Sequence, residues 1–176
     1  MKHIAVLSVH SCPLAALGGK ETGGMNVYVR ELSRQMGRMG IEVDVFTRSQ
    51  NPHISPIVPL GQNARVIHIK AGPEEPMAKH RLLQYMPEFT SGVVRFAREN
   101  GAAYDLVHSH YWLSGWVGSR LKKQWSVPLV HMFHTLGTLK NSVLRGKKEK
   151  EPAKRLLVER QIMSIADGLI APNPWE

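Results

Sequence analysis

A chain of 176 residues is long enough for one domain with a sizeable core, and its 43% hydrophobic and 21% charged residues suit a globular protein. No apolar run approaches the roughly 20 residues that a membrane-spanning helix needs, and a single cysteine, Cys12, allows no internal disulfide. The formal charge is +9, and between Lys140 and Arg160 eight Lys/Arg stand against three Glu, so the expected partners are anionic: nucleic acid, a membrane surface or phosphorylated metabolites.

The first strand is expected over His3–Val9, a mostly apolar run of the kind buried on both faces of a parallel sheet. The chain enters it at once, so no signal peptide is expected, and with the lone thiol this points to a reducing cytoplasm. A loop from His10 to Gly24 follows. Thr22-Gly23-Gly24 then opens an amphipathic helix from Met25 to about Met39, with Tyr28, Leu32, Met36 and Met39 on one face and Gly40 as its stop. Strand two, Glu42–Arg48, alternates and is expected nearer an edge. Residues 51–63 hold three prolines and read as loop. Arg65–Ile69 is the third strand, Met86–Asn100 a helix with Phe89, Val93, Phe96 and Ala97 on one side, and Leu106–Ser109 the fourth strand. A helix over Leu113–Trp125 carries Gly115 and Gly118 for close packing. Pro128–Met132 is the fifth strand, Pro152–Ala166 a helix and Gly168–Ala171 the sixth strand. Strands alternating with helices predict an α/β, Rossmann-like doubly wound parallel sheet, which binds ligands outside the carboxyl ends of its strands.

Candidate residues fall at those ends. His10 and the Gly23-Gly24 loop follow strand one, His110 and Tyr111 strand four, and His134 and Thr135 strand five. Lys79 and Arg155 could reach the same edge from a loop and a helix start. Adjacent glycines at a helix start suit a phosphate on unpaired N–H groups, although a tight turn packed against the sheet would use them equally well. The hydroxyl, phenol, ammonium and guanidinium together suit a phosphate monoester. His108 and His110 are expected on opposite strand faces, unable to share a metal, and His108 is read as structural. Trp112 is expected in the core. No catalytic carboxylate pair or nucleophile elbow is evident, and Cys12 has no obvious base nearby. Zinc-finger spacing and aromatic-basic interleaving are absent, which sets nucleic acid aside. The basic run at 146–150 has no apolar face, which ranks a membrane-presented acceptor lower.

Gly23-Gly24-Met25-Asn26-Val27-Tyr28-Val29, Gly40–Arg48, His108-Ser109-His110-Tyr111-Trp112, Pro128–His131 and His134-Thr135-Leu136 resemble the N-terminal domain of retaining glycosyltransferases of the GT-B fold, family 4. Within that family the chain looks most similar to the D-inositol 3-phosphate glycosyltransferases, and the sucrose-phosphate synthases are neighbours. Gly-Gly-Met-Asn is of the inositol-phosphate type, whereas Gly19–Gly24 resembles the sucrose-phosphate side, so the acceptor stays open. The resemblance implies that Gly23 and Gly24 approach the donor diphosphate and that Asn26 contacts the acceptor. It implies that Lys79, Tyr111, Thr135 and Arg155 clamp the acceptor phosphate, and that His134 lies by the transferred sugar as the catalytic-site residue. It further implies a nucleotide-sugar donor, a UDP-sugar by preference, no metal or other cofactor, and no enzyme nucleophile. On this reading residues 1–176 are the acceptor-binding domain, the C-terminal nucleotide-sugar domain is absent, and the piece alone is inactive. A homodimer is compatible with it. The contrasting expectation is a stand-alone, non-catalytic anion-binding module.

Overall fold

The computed structural model describes residues 2–15, 23–143 and 150–173. The Gly19–Thr22 part of the first loop, residues 144–149 of the basic run and the last three residues lie outside the described set. In chain order the elements are β1 (His3–Leu7), α1 (Gly24–Arg38), β2 (Glu42–Arg48), β3 (Ile57–Gly61), β4 (Ala64–Ile69), α2 (Lys79–Leu82), α3 (Met86–Glu99), β5 (Leu106–His110), α4 (Tyr111–Trp125), β6 (Leu129–Met132), α5 (Gly137–Val143), α6 (Ala153–Ile165) and β7 (Gly168–Ile170). The strands form one sheet in the order β3-β4-β2-β1-β5-β6-β7. Every neighbouring pair is parallel except β3 with β4. The doubly wound expectation is thus met, with an antiparallel edge added.

β2 is not near an edge. It lies between β1 and β4, and six of its seven residues are buried. Its alternation comes from buried polar groups with partners. Asp44 accepts from Arg65 Nε (2.6 Å) and Nη2 (3.0 Å) and from the Tyr104 hydroxyl (2.7 Å), with His3 Nε2 at 3.2 Å. β3 arises inside the stretch read as loop. Pro59 has no N–H to give to a ladder, and an edge strand is where such a residue is tolerated.

The helix faces follow packing. On α3, Phe89, Val93 and Ala97 are buried as expected. On α1 the expected face is wrong: Met39 is 70% exposed and Tyr28 36%, while Asn26, Val29, Ser33 and Gly37 are buried. That face is narrow and made of small residues, so α1 sits close on the sheet. A Cβ at Gly37 would lie 2.0 Å from the Gln62 carbonyl oxygen and 3.4 Å from Ala64 Cβ. Gly37→Ala is therefore expected to cost about 1–3 kcal/mol by overpacking. The urea midpoint reports it; an unchanged midpoint would mean that the 61–64 turn gives way freely.

α4 packs as its glycines foretold. A Cβ at Gly115 would meet Ile162 Cδ1 at 2.4 Å and His131 Cε1 at 2.7 Å. Trp112 is in the core, with Leu113, Val117 and Leu121. Two short helices, α2 and α5, were not foreseen. No helix among the described residues is long and apolar enough to cross a membrane.

Candidate active site

The connections reverse at β1: the chain runs outward through β2 and β4, then returns beside β1 with β5 and continues through β6 and β7. Such a reversal opens a crevice at the carboxyl ends of the central strands. A cavity of about 490 Å³ lies there. The loop after β1 lends it His10 and Ser11, the start of α1 lends Gly23, Gly24, Met25 and Asn26, and α2 lends Lys79. Tyr111 follows β5, and His134 and Thr135 follow β6. Seven of the eight residues expected at the site therefore line one cavity. Arg155 does not.

Gly23 is extended (φ −138°), caps α1 without a side-chain bond, and both glycines are exposed. Among the described residues, a Cβ at either would meet nothing within 4 Å. They are not a turn packed against the sheet; both line the cavity, where the first-turn N–H groups carry partial positive charge.

Asn26 is 1% exposed and committed to its own loop. Its Oδ1 accepts from the Ser11 hydroxyl and its Nδ2 donates to the Cys12 carbonyl at 3.0 Å. The amide holds the wall of the cavity in place, and Asn26 itself lines that cavity. Lys79 lies over Tyr111, with Nζ 5.7 Å from the ring centroid. The loop that delivers Lys79 is clamped by buried Arg48, which donates to the carbonyls of Ala71, Pro73 and Glu75. Arg48 was missed in the sequence, where it reads as the polar end of a strand.

Arg155 is 1% exposed and stands behind the cavity wall. Its Nε donates to Glu159 (2.6 Å), Nη1 to the Tyr111 hydroxyl oxygen (2.9 Å), and Nη2 to the Thr135 carbonyl. Glu151 lies 3.0 Å from Nη1. Burial opposes the guanidinium charge, but Glu159, Tyr111 and Glu151 outweigh it and hold Arg155 above its ordinary pKa. Because Arg155 donates into the Tyr111 oxygen, the phenolic proton stays available to an acceptor in the cavity.

Tyr111 (φ 73°) and His134 (φ 63°) both occupy the left-handed region. Non-glycine residues there cost on the order of 1–3 kcal/mol and cluster at functional sites. His134 Nε2 lies 3.0 Å from His110 Nδ1, and Tyr28 packs edge-on against both rings, 5.5 Å from His134 and 5.8 Å from His110. His108 and His110 share a face, with ring centroids 4.2 Å apart. The opposite-face expectation is overturned, because side chains two apart on a strand point the same way. Burial pushes His134 down to about 4. Burial, then the charges of Lys79, His134 and Arg155, push His10 to about 3. His110 is held well below its ordinary value by burial and by its neighbouring histidines. The cavity's histidines are thus neutral at pH 7, and among the described residues its cations are Lys79 and, through Tyr111, Arg155. Among the described residues no set of three or more His, Cys, Asp or Glu is arranged to hold a metal ion.

Cys12 faces a second, smaller cavity of about 220 Å³ beyond Asn26. A base is near it after all: His68 Nε2 is 3.5 Å from Sγ. Burial nevertheless pushes the thiol up, against backbone N–H groups of Leu14 and Ala15.

The Glycosyl transferase 4-like domain model matches residues 23–176. The D-inositol 3-phosphate glycosyltransferase 2 of Catenulispora acidiphila is 47% identical over 176 residues, covering 99% of this chain and 41% of that protein. The D-inositol 3-phosphate glycosyltransferase of Kineococcus radiotolerans is 46% identical over 177 residues, covering 100% and 41%. The sucrose-phosphate synthase of Thermosynechococcus elongatus superposes with a TM-score of 0.92 at 34% identity, over 99% of this chain and 43% of that one. Anabaena HepE, solved with UDP and glucose, shares the fold at 17% identity with a TM-score of 0.60, over 97% and 38%. The chain spans about two fifths of the length of the curated relatives it matches. With its mostly parallel seven-stranded sheet and its crevice at the strand reversal, the chain belongs to the Glycosyl transferase 4-like domain family and forms a Rossmann-like half of a GT-B fold.

Proposed function

We propose that this chain is the acceptor-binding part of a retaining glycosyltransferase. The whole enzyme moves a sugar from a nucleotide-sugar donor to a phosphorylated polyol or sugar of the inositol 3-phosphate class. The observation that carries this reading is the convergence of Lys79, Tyr111 and Thr135 on one cavity, with Arg155 bonded to both Tyr111 and Thr135 from behind. An ammonium, a phenolic O–H whose oxygen is already engaged, and a threonine hydroxyl give a phosphate monoester three donors. Arg155 supplies charge and fixes the other two. The open helix start at Gly23-Gly24 lies at the same cavity and suits the donor diphosphate.

The two glycosyltransferase relatives named for D-inositol 3-phosphate support the acceptor class. The structural neighbour solved with UDP supports a UDP-sugar. The greater length of the relatives supports a second unit, C-terminal to these residues, that holds the donor; the isolated chain then binds acceptor and transfers nothing. In the reaction the bond from the sugar's anomeric carbon to the donor diphosphate breaks, the acceptor oxygen bonds to the same face of that carbon, and a phosphate oxygen of the departing nucleoside diphosphate takes the acceptor proton. His134 contacts the transferred sugar, and no side chain serves as nucleophile. A sucrose-phosphate-type reaction with fructose 6-phosphate is the second reading, favoured by the 0.92 superposition on such an enzyme.

Calorimetric titration of the chain with inositol 3-phosphate, fructose 6-phosphate and unphosphorylated inositol tests the assignment. One phosphate ester is expected to bind and inositol is not. Lys79→Ala removes one charge-assisted bond, worth about 1.5–3 kcal/mol, so affinity should fall roughly 10- to 150-fold. Equal binding of inositol and its phosphate, or an indifferent Lys79→Ala, would remove the phosphate clamp from this reading.

A further inference from the structure

His110 has a task that the acceptor reading does not give it. The ring is fully buried at the end of β5, enclosed by the rings of His108, Tyr28 and His134. Of its two nitrogens, Nδ1 meets His134 Nε2 at 3.0 Å, and Nε2 has no hydrogen-bond partner among the described residues. Two neutral imidazoles joined by one hydrogen bond have two arrangements. Either His110 Nδ1–H donates to His134 Nε2, or His134 Nε2–H donates to His110 Nδ1. In the second, the remaining proton of His110 must sit on Nε2, a buried N–H with nothing to receive it. In the first, Nε2 is a bare lone pair. Orphaned buried N–H groups are the rarer and costlier defect. A doubly protonated His110 would place a charge in the same enclosed site, where no carboxylate among the described residues meets either ring.

We infer that His110 is a positioning residue that holds His134 in the tautomer carrying its proton on Nδ1. His134 Nδ1 is not among the buried unpartnered ring nitrogens, and the residue lines the cavity. His134 therefore offers the cavity a neutral N–H donor, so the ligand atom facing it is an acceptor: a hydroxyl, ring or phosphate oxygen. A general base at that atom is ruled out, because the one basic ring nitrogen is turned inward onto His110. The tautomer stands on the described side chains alone. Only the identity of the oxygen rests on the acceptor-site reading.

Long-range ¹H–¹⁵N correlation spectra of the ¹⁵N-labelled chain near neutral pH show which nitrogen of each ring is protonated. His134 should carry its proton on Nδ1 in the unsubstituted chain. His110→Phe keeps an aromatic ring but removes the donor, and His134 should shift to the Nε2–H form that free imidazole side chains favour in water. His110→Asn places an amide N–H where Nδ1–H was, and should restore the Nδ1–H form. A proton on His134 Nε2 in the unsubstituted chain, or one tautomer shared by all three proteins, would overturn the inference. The unsubstituted spectrum decides even where a variant fails to fold. Failure of every phosphate ester to bind would remove the acceptor reading and leave this result in place.

Discussion

Acidification from about pH 7.5 to about pH 5 is expected to cost this chain most of its stability. In the unfolded chain each histidine takes up its proton near pH 6.5. In the folded chain burial defers that uptake to about 3 for His10 and His131 and to about 4 for His108 and His134, and His110 is also held well below 6.5. The unfolded state therefore binds more protons throughout that window. The stability is fully present above pH 6.5 and is lost as the pH falls toward 3–4. Each deferred proton gives a slope of up to about 1.4 kcal/mol per pH unit, so five of them remove on the order of 10 kcal/mol by pH 5. A typical domain has roughly 5–15 kcal/mol in total. The depressed carboxylates Glu74, Glu151 and Asp167 start from the ordinary carboxyl range and contribute only at the acid end of the window. Urea midpoints across this range should fall steadily. A flat series would mean that the folded chain accepts those protons, and that the β5–β6 histidines are wetter than their burial states.

Arg155→Ala should be the most damaging single change near the cavity. Glu159 is 2% exposed; its partners are Arg155 Nε and the Gly137 N–H that begins α5, at 2.9 and 3.2 Å from its two oxygens. Without the guanidinium, a buried carboxylate loses its cation, and breaking such a pair from one side costs about 3–5 kcal/mol. The Tyr111 hydroxyl and the Thr135 carbonyl lose a donor in the same step. Arg155→Lys keeps the charge but cannot reach Glu159, Tyr111 and Thr135 together, so an intermediate loss is expected. Glu159→Gln on the Arg155→Ala background should recover part of the loss, because the stranded charge is gone. Urea unfolding of the three variants checks this. A loss under about 1 kcal/mol for Arg155→Ala would show that water replaces the guanidinium at Glu159.

The strands at the centre of the sheet were readable because parallel strands buried on both faces are near-continuous apolar runs. That holds for β1 and, apart from His131, for β6, whereas β5 shows it only at Leu106-Val107. β2 misled because Asp44 and Arg48 are buried with partners elsewhere in the chain, and a hydrophobicity pattern counts them as outward-facing. The face of α1 misled for the opposite reason: Ser33 and Gly37 carry little hydrophobic signal, yet close approach to the 61–64 turn requires small side chains. At the site, a topological rule was enough to bring seven polar residues to one edge. It could not tell a residue in the wall from one behind it. The spacing of Glu151, Arg155 and Glu159, four apart each time, did carry that information, since residues so placed along a helical stretch meet one another.

The two ends of the sheet differ in a way that bears on handling the chain in solution. The β3 edge is guarded by Pro59, which breaks the row of N–H groups that another strand would need. Among the described residues the β7 edge has no such guard. Its three residues contain no proline or charge, Leu169 is 51% exposed and Ile170 38%, and Leu157, Met163 and Ile165 of α6 add further exposed apolar surface. Self-association of the purified chain at high concentration should begin at β7, and a lysine placed at Leu169 is the most direct remedy for poor solubility.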